Sequence, residues 1–359
     1  MNKFSVLGYG LTALDIIKSN MVNGIIYDIG GTCFNIANNL NYLGEKTAII
    51  TRLGADIAGE EIIRVVEDED KITLIAQKTR VGKTPRIIEV QRMSVKGGRH
   101  YFSFKCPQCG AFLPRYMSPT IDWTRAQLAN IDINDIKIVY FDRVAPSLKI
   151  VLNRLDKRNT IKIYEPCNIN YLFRNDWAFP ETDVLKLAVS KNDIENKCLN
   201  KINQFCRERN HFPVLTLVTI GEEGVWYSIN QRENWYYLKG INSNIIDSCG
   251  AGDWFSAILI REILDKFVDE IKNKNIESEK NLMRSLNLAQ KYAVLSCKFI
   301  GARGLTNNVA QKKIQSKNNI GEIINELSIT QKINNKLFVN INNKMNYKLC
   351  DMCKLELKL

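Results

Sequence analysis

Short apolar runs alternate along this chain with segments whose apolar residues recur every three to four positions. Phe4–Tyr9, Thr47–Arg52, Ile136–Phe141, Ile161–Tyr164, Val184–Val189 and Val214–Ile220 read as strands, apolar almost without interruption, as expected of strands covered on both faces. Between them, Phe34, Ala37, Leu40 and Leu43 fall on one helical stripe closed by Gly44, and further helices are expected over 60–67, Ser147–Leu155, Trp254–Leu264 and Asn281–Phe299. This βα alternation predicts an α/β fold with a mainly parallel central sheet between layers of helices.

Two stretches break the rhythm. Leu11–Ile17 continues from the first strand with one acid, Asp15, among Leu, Ala and Ile; it lies either on an exposed face or in a polar pocket, since burying it without donors is costly. Residues 71–118 read as an antiparallel element, Ile87–Met93 and His100–Lys105 joined by a Gly97-Gly98 turn. Together, parts of 10–30 and 80–118 predict a small β lid. Beyond Leu305 the composition shifts to Asn, Lys and Ile. This predicts a boundary near 306 and a C-terminal extension over 307–359, with a helix near Ile320–Leu327 and a strand at Leu337–Ile341.

The stretch with most chemistry is Asp247-Ser-Cys-Gly250-Ala251-Gly252-Asp253, which leads straight into an apolar helix. Glycines let the backbone approach a ligand closely, and free N–H groups at a helix start hold a phosphate. Asp253 at that mouth is either an ordinary cap or a base for an attacking hydroxyl. Upstream, Gly30-Gly31 precede a helix carrying Asn35 in its first turn, a poor helix former there unless its amide is needed. Val214–Ile220 ends in Gly221-Glu-Glu-Gly224.

With Gly30, Gly31, Asn35, Ala37, Leu40, Leu43 and Gly44 in one spacing, Val218-Thr219-Ile-Gly221-Glu-Glu-Gly224 in a second and Asp247–Asp253 in a third, the chain resembles the ribokinase-like (PfkB) family of sugar and nucleoside kinases over about residues 4–306. The resemblance implies an ATP-dependent phosphotransferase acting on an alcohol group of a sugar or sugar-like substrate. It makes Asp253 the general base and the Gly250-Ala251-Gly252 turn the anion hole. Asp15, Gly31 and Asn35 would bind substrate hydroxyls; Arg143, at a strand end, is a further candidate for an anionic group or polyol, although a surface position is its plainer reading. Thr219, Gly221, Gly224 and Gln290 would line the nucleotide site, and Asn192 and Glu195 would position Mg²⁺ through water. ATP and Mg²⁺ are the implied cofactors, a monovalent cation an optional one. Gln290 stands where many relatives carry Asn, and Glu165-Pro-Cys where Asp-Pro-Asn is frequent. Homodimerisation through the lid is a further implication. A nucleoside kinase of the same family, and a catalytically silent zinc-containing regulatory or nucleic-acid-binding protein on the same scaffold, remain alternatives.

Charge and cysteines add less. Lys and Arg number 50 against 38 acids, a net +12, but the excess is diffuse, so a nucleic-acid groove is not expected. No apolar run approaches a membrane span, and the first residues lack a signal-peptide plan, making cytoplasm the expected compartment. Of ten cysteines, Cys33, Cys167, Cys198, Cys206, Cys249 and Cys297 are single and read as buried or half-buried small side chains. Cys106-x-x-Cys109 and Cys350-x-x-Cys353 each have zinc-knuckle spacing, and together they would make a structural Cys₄ zinc site joining tail to lid within one chain or between two, with a redox pair or chance spacing as the alternatives.

Overall fold

The computed structural model describes residues 3–309 apart from 22–24, 69–71, 95–96, 156–159, 175 and 196. Its main sheet has nine strands in the order β13-β12-β11-β10-β9-β8-β1-β4-β5. In chain order these are β1 (Val6–Tyr9), β4 (Thr47–Gly54), β5 (Ile72–Thr79), β8 (Ile138–Phe141), β9 (Ile161–Tyr164), β10 (Val184–Ala188), β11 (Leu215–Thr219), β12 (Gly224–Ile229) and β13 (Tyr236–Lys239). The seven strands from β5 to β11 are parallel, and β12 and β13 return antiparallel at one edge. The apolar runs read as strands are largely buried, and β1, β8 and β9 contain no exposed residue. A core lies on each face. One gathers helices Thr32–Tyr42, Ile57–Asp68, Ala251–Glu262 and Glu279–Ser296, the other helices Pro146–Arg154 and Cys198–Glu208. This is the expected three-layer α/β arrangement.

The second sheet is the lid, with order β3-β2-β6-β7. Strand β2 (Ala13–Ser19) pairs antiparallel with β3 (Ile25–Gly30) and parallel with β6 (Arg86–Ser94), which pairs antiparallel with β7 (Gly97–Ser103). Gly97 and Gly98 are paired residues of β7, opposite Ser94 and Met93, rather than the turn. Strand β13 carries few apolar positions in a regular pattern and escaped the sequence reading; half of it is exposed.

The helix expected from Trp254 begins three residues earlier, at Ala251, so Asp253 lies inside its first turn. Trp254 anchors this helix: fully buried, it stacks on Tyr292 at 5.8 Å and meets Tyr42 edge-on at 6.1 Å. The helices before and after it in space thus fix the Gly250–Asp253 turn over the sheet's carboxyl edge, where open α/β sheets bind ligands.

Of the single cysteines, five are buried as expected and Cys167 is exposed. Cys106 is buried and Cys109 exposed on a turn closed by the Gly110 N–H to the Cys106 carbonyl at 2.9 Å. Cys350, Cys353 and the elements expected beyond 309 lie outside the described residues. Among the described residues, no helix is long and apolar enough to cross a membrane.

Candidate active site

Gly250 caps the helix Ala251–Glu262 with φ 75°, and a Cβ there would sit 2.6 Å from the Ala302 Cα. Only glycine meets both demands. The turn it makes leaves the N–H groups of Gly252 and Asp253 without intrahelical acceptors, while that of Ala251 points to the Ser248 carbonyl at 3.3 Å. The positive end of the helix is therefore open where the motif predicted an anion hole.

Asp253 is held from across the cleft: the Asn35 amide donates to its Oδ2 at 2.7 Å, joining residues 218 apart in sequence. That bond accounts for an asparagine in the first turn of helix Thr32–Tyr42. Burial, reinforced by the charge of Glu165, raises Asp253 to about 7, with Asn35 and Lys186 pulling the other way. A carboxyl with that value is half ionised near neutrality.

Beneath the turn lies a charge pair that sequence reasoning missed. Lys186, 1% exposed on β10, contacts Glu165 Oε1 at 2.5 Å and donates to the Gly252 carbonyl at 3.2 Å. The Ser256 hydroxyl donates to the other Glu165 oxygen at 2.6 Å and Tyr140 at 3.3 Å. Glu165 was noted only as a departure from a frequent Asp. Lys186 had a legible signal: a lone cation inside an otherwise apolar strand.

The lid supplies the other wall. Asp15 on β2 is 6% exposed, and its Oδ1 has no hydrogen-bond partner. Burial and the charges of Asp28 and Asp253 raise it well above the usual carboxylate range. Asp15 is therefore not on an exposed face. A Cβ on Gly30 would fall 1.8 Å from Asp15 Oδ2, and one on Gly31 (φ 96°) 2.5 Å from the Leu11 carbonyl oxygen. The paired glycines clear space for this carboxylate and for the chain crossing over it. Asn35 Oδ1 is also buried and unpartnered. Two orphaned acceptors beside a candidate base fit a ligand that presents hydroxyl donors.

Arg143 is largely buried, forking onto Asp142 Oδ2 at 3.0 Å and the Asp142 carbonyl at 2.9 Å. It is not a surface side chain, and its charge is matched by Asp142, which also accepts the Leu11 N–H at 3.0 Å. Asp28 on β3 pairs with Arg303 at 2.9 Å.

On the far side of the Gly250–Asp253 turn is a cavity of about 310 Å³ lined by Thr219, Gly221, Gly224, Ala251, Gly252, Phe255, Gln290 and neighbours. Gly221 (φ 49°) and Gly224 (φ 136°) need positive φ, and a Cβ on Gly224 would sit 2.3 Å from the Leu238 carbonyl oxygen. The Gln290 amide is buried with neither its nitrogen nor its oxygen partnered. Asn192 and Glu195 are exposed on the short helix Lys191–Glu195, outside that lining. Lys191 ties this helix to the nucleotide-loop candidate through Glu223 at 3.2 Å.

Residues 170–308 match the pfkB family carbohydrate kinases. No curated protein sequence matches the chain. Among solved structures, a fructokinase with bound ATP from Xylella fastidiosa is 15% identical, with TM-score 0.62, covering 90% of this chain and 98% of its own. Ribokinase from Giardia lamblia is 12% identical with TM-score 0.63, covering 90% and 99%. An uncharacterised sugar kinase from Pyrococcus horikoshii is 18% identical with TM-score 0.56, covering 89% and 100%. At these identities the likeness is one of fold.

Proposed function

We propose that this chain, whose residues 170–308 match the pfkB family carbohydrate kinases, is a phosphotransferase that moves the γ-phosphoryl group of ATP onto a hydroxyl of a sugar or sugar-like polyol. The observation that carries the reading is Asp253: raised to about 7, bonded to Asn35 at 2.7 Å and placed in the first turn of a helix with open N–H groups.

The chemistry follows from those positions. Asp15 Oδ1 and Asn35 Oδ1 accept hydroxyl hydrogens of the acceptor and orient it. Asp253, ionised, takes the proton of the attacking hydroxyl as its oxygen closes on phosphorus; a base with a value near the working pH suits that task. Negative charge on the transferring group meets the Gly252 and Asp253 N–H groups and the helix's positive end. Lys186, anchored by Glu165, holds the turn through the Gly252 carbonyl and adds a buried positive charge beneath it. The cavity from Thr219 to Gln290 takes the nucleotide, and the unpartnered Gln290 amide faces a polar base edge. Mg²⁺, entering with the phosphates, supplies charge neutralisation; Asn192 and Glu195 are the chain's candidates to position it through water.

The test is ATP consumption across a panel of sugars, polyols and nucleosides, with Asp253→Asn as control. Turnover on at least one sugar-like alcohol, reduced ~10²- to 10⁴-fold in the variant, is expected. Turnover confined to nucleosides would move the acceptor class, and equal turnover in the variant would remove Asp253 as base.

A further inference from the structure

Three polar side chains that the phosphoryl-transfer scheme does not use meet at the seam between the lid and the main domain. Glu89 on β6 is fully buried, and neither of its carboxylate oxygens has a hydrogen-bond partner. His100 on β7 stands opposite Gln91, two residues along β6 from Glu89, so both point from the lid's inner face. Beneath them is Asp247, fully buried, three residues before the Gly250 cap. One ligand atom from each of Glu89, His100 and Asp247 lies within 4.8 Å of the others, and His100 Nδ1 is 3.4 Å from Asp247 Oδ1. The Ser248 hydroxyl lies 3.0 Å from the same ring nitrogen.

This set is not explained by ordinary lid closure. Gln91 already latches the lid, its amide donating to the Ile246 carbonyl at 2.9 Å while Ser19 bonds its oxygen. Asp247 is already fixed by the N–H groups of Cys249 at 3.0 Å and Gly301 at 2.9 Å. Glu89 adds a second buried acid that faces Asp247 across the seam, with the Cys249 thiol beside it. Two such groups stay close only if they share a proton or a cation lies between them. The imidazole tips the choice: with one nitrogen and two carboxylate donors, the set suits a borderline divalent metal, whereas Mg²⁺ prefers oxygen alone. Tetrahedral ligands about 2.1 Å from such a metal stand roughly 3.4 Å apart, matching the observed His100–Asp247 edge.

We propose that Glu89, His100 and Asp247 form a binding site for a divalent transition-metal cation of the Zn²⁺ type, with Ser248 or water completing the shell. The site joins two lid strands to the segment that leads into the Gly250–Asp253 turn. Bound metal therefore holds the lid down on that turn, independently of any cation carried by a nucleotide.

Co²⁺, added without nucleotide to the full-length protein, is the probe, because it reports its ligands in the visible spectrum. The expected result is about one equivalent bound with a d–d band and no thiolate charge-transfer band, which separates this site from the cysteines. Glu89→Gln and His100→Asn should each weaken binding by more than the ~10- to 100-fold typical of losing an outer-shell partner and abolish the metal-induced rise in Tm, while circular dichroism shows both variants folded. Absence of Co²⁺ binding in the wild type would leave the shared proton as the explanation and overturn the site. So would binding that persists unchanged in both folded variants, or that carries the thiolate band.

Discussion

Asn35 offers a direct way to move the ionisation of Asp253 without touching its carboxylate. Its amide donates to Asp253 Oδ2 at 2.7 Å and is the leading influence that lowers this group, whose net value burial and Glu165 still hold at about 7. The Asn35→Leu substitution removes the donor and excludes water from the space. A hydrogen bond to a charged group is worth about 1.5–3 kcal/mol, and one pKa unit is about 1.36 kcal/mol, so Asp253 should rise by roughly one to two units. The ionised fraction at pH 7 then falls from about one half to between about a tenth and a hundredth. kcat/KM at pH 7 should drop about 5- to 50-fold on this account alone and recover as the pH passes 9. Loss of the Asn35 Oδ1 contact to the acceptor adds a factor that does not vary with pH. A kcat/KM profile over about pH 5.5–9.5 separates the two, because only the first moves the acid limb. An acid limb that stays in place, or moves to lower pH, would refute the reasoning.

Three other outcomes follow. Asp253→Asn should stabilise the protein while disabling it. Between pH 3.8 and about 7 the folded state keeps a proton that the unfolded chain releases, so the wild type loses stability as pH rises through that window; the variant should gain about 2–4 kcal/mol at pH 8 and nothing near pH 3, read from Tm against pH. Lys186→Met strands the buried Glu165 and should cost about 3–5 kcal/mol in chemical denaturation, with most of it restored by adding Glu165→Gln; a double variant no more stable than the single would sink the pairing. Gly30→Ala puts a methyl 1.8 Å from Asp15 Oδ2 and should lower kcat/KM for the acceptor ~10- to 100-fold, leaving the KM for ATP unchanged.

What the sequence disclosed was what is local. The Asp247–Asp253 turn, the Gly30-Gly31 pair and the Gly221–Gly224 loop each declare a backbone need within a few residues. The parallel strands declare themselves by unbroken apolar runs. The helix start at Ala251 was misplaced by three residues because Gly252 and Asp253 are weak helix formers, and only packing of Trp254 between Tyr42 and Tyr292 settles it. The Asn35–Asp253 bond and the Lys186–Glu165 pair could not be read, since each joins separate elements. Glu89, Gln91 and His100 carried no reading of their own within the expected hairpin. Period-two alternation says that such residues share a face, but not that the face is turned inward.

The lid is assembled from two separate excursions of the chain. Ser19 and Gln91, bonded side by side at its centre, are 72 residues apart, and β2 has no neighbour on that side until β6 arrives. Strands β4 and β5 lie in the chain between β2 and β6, so their folding shortens the loop that the lid must close. Closing a loop of that length is an entropic cost that the lid's successive pairs, β2 with β3 and β6 with β7, do not carry. The cleft the lid covers is thus guarded by strands whose pairing can be altered at β2 and β6 without touching the turn that carries Asp253.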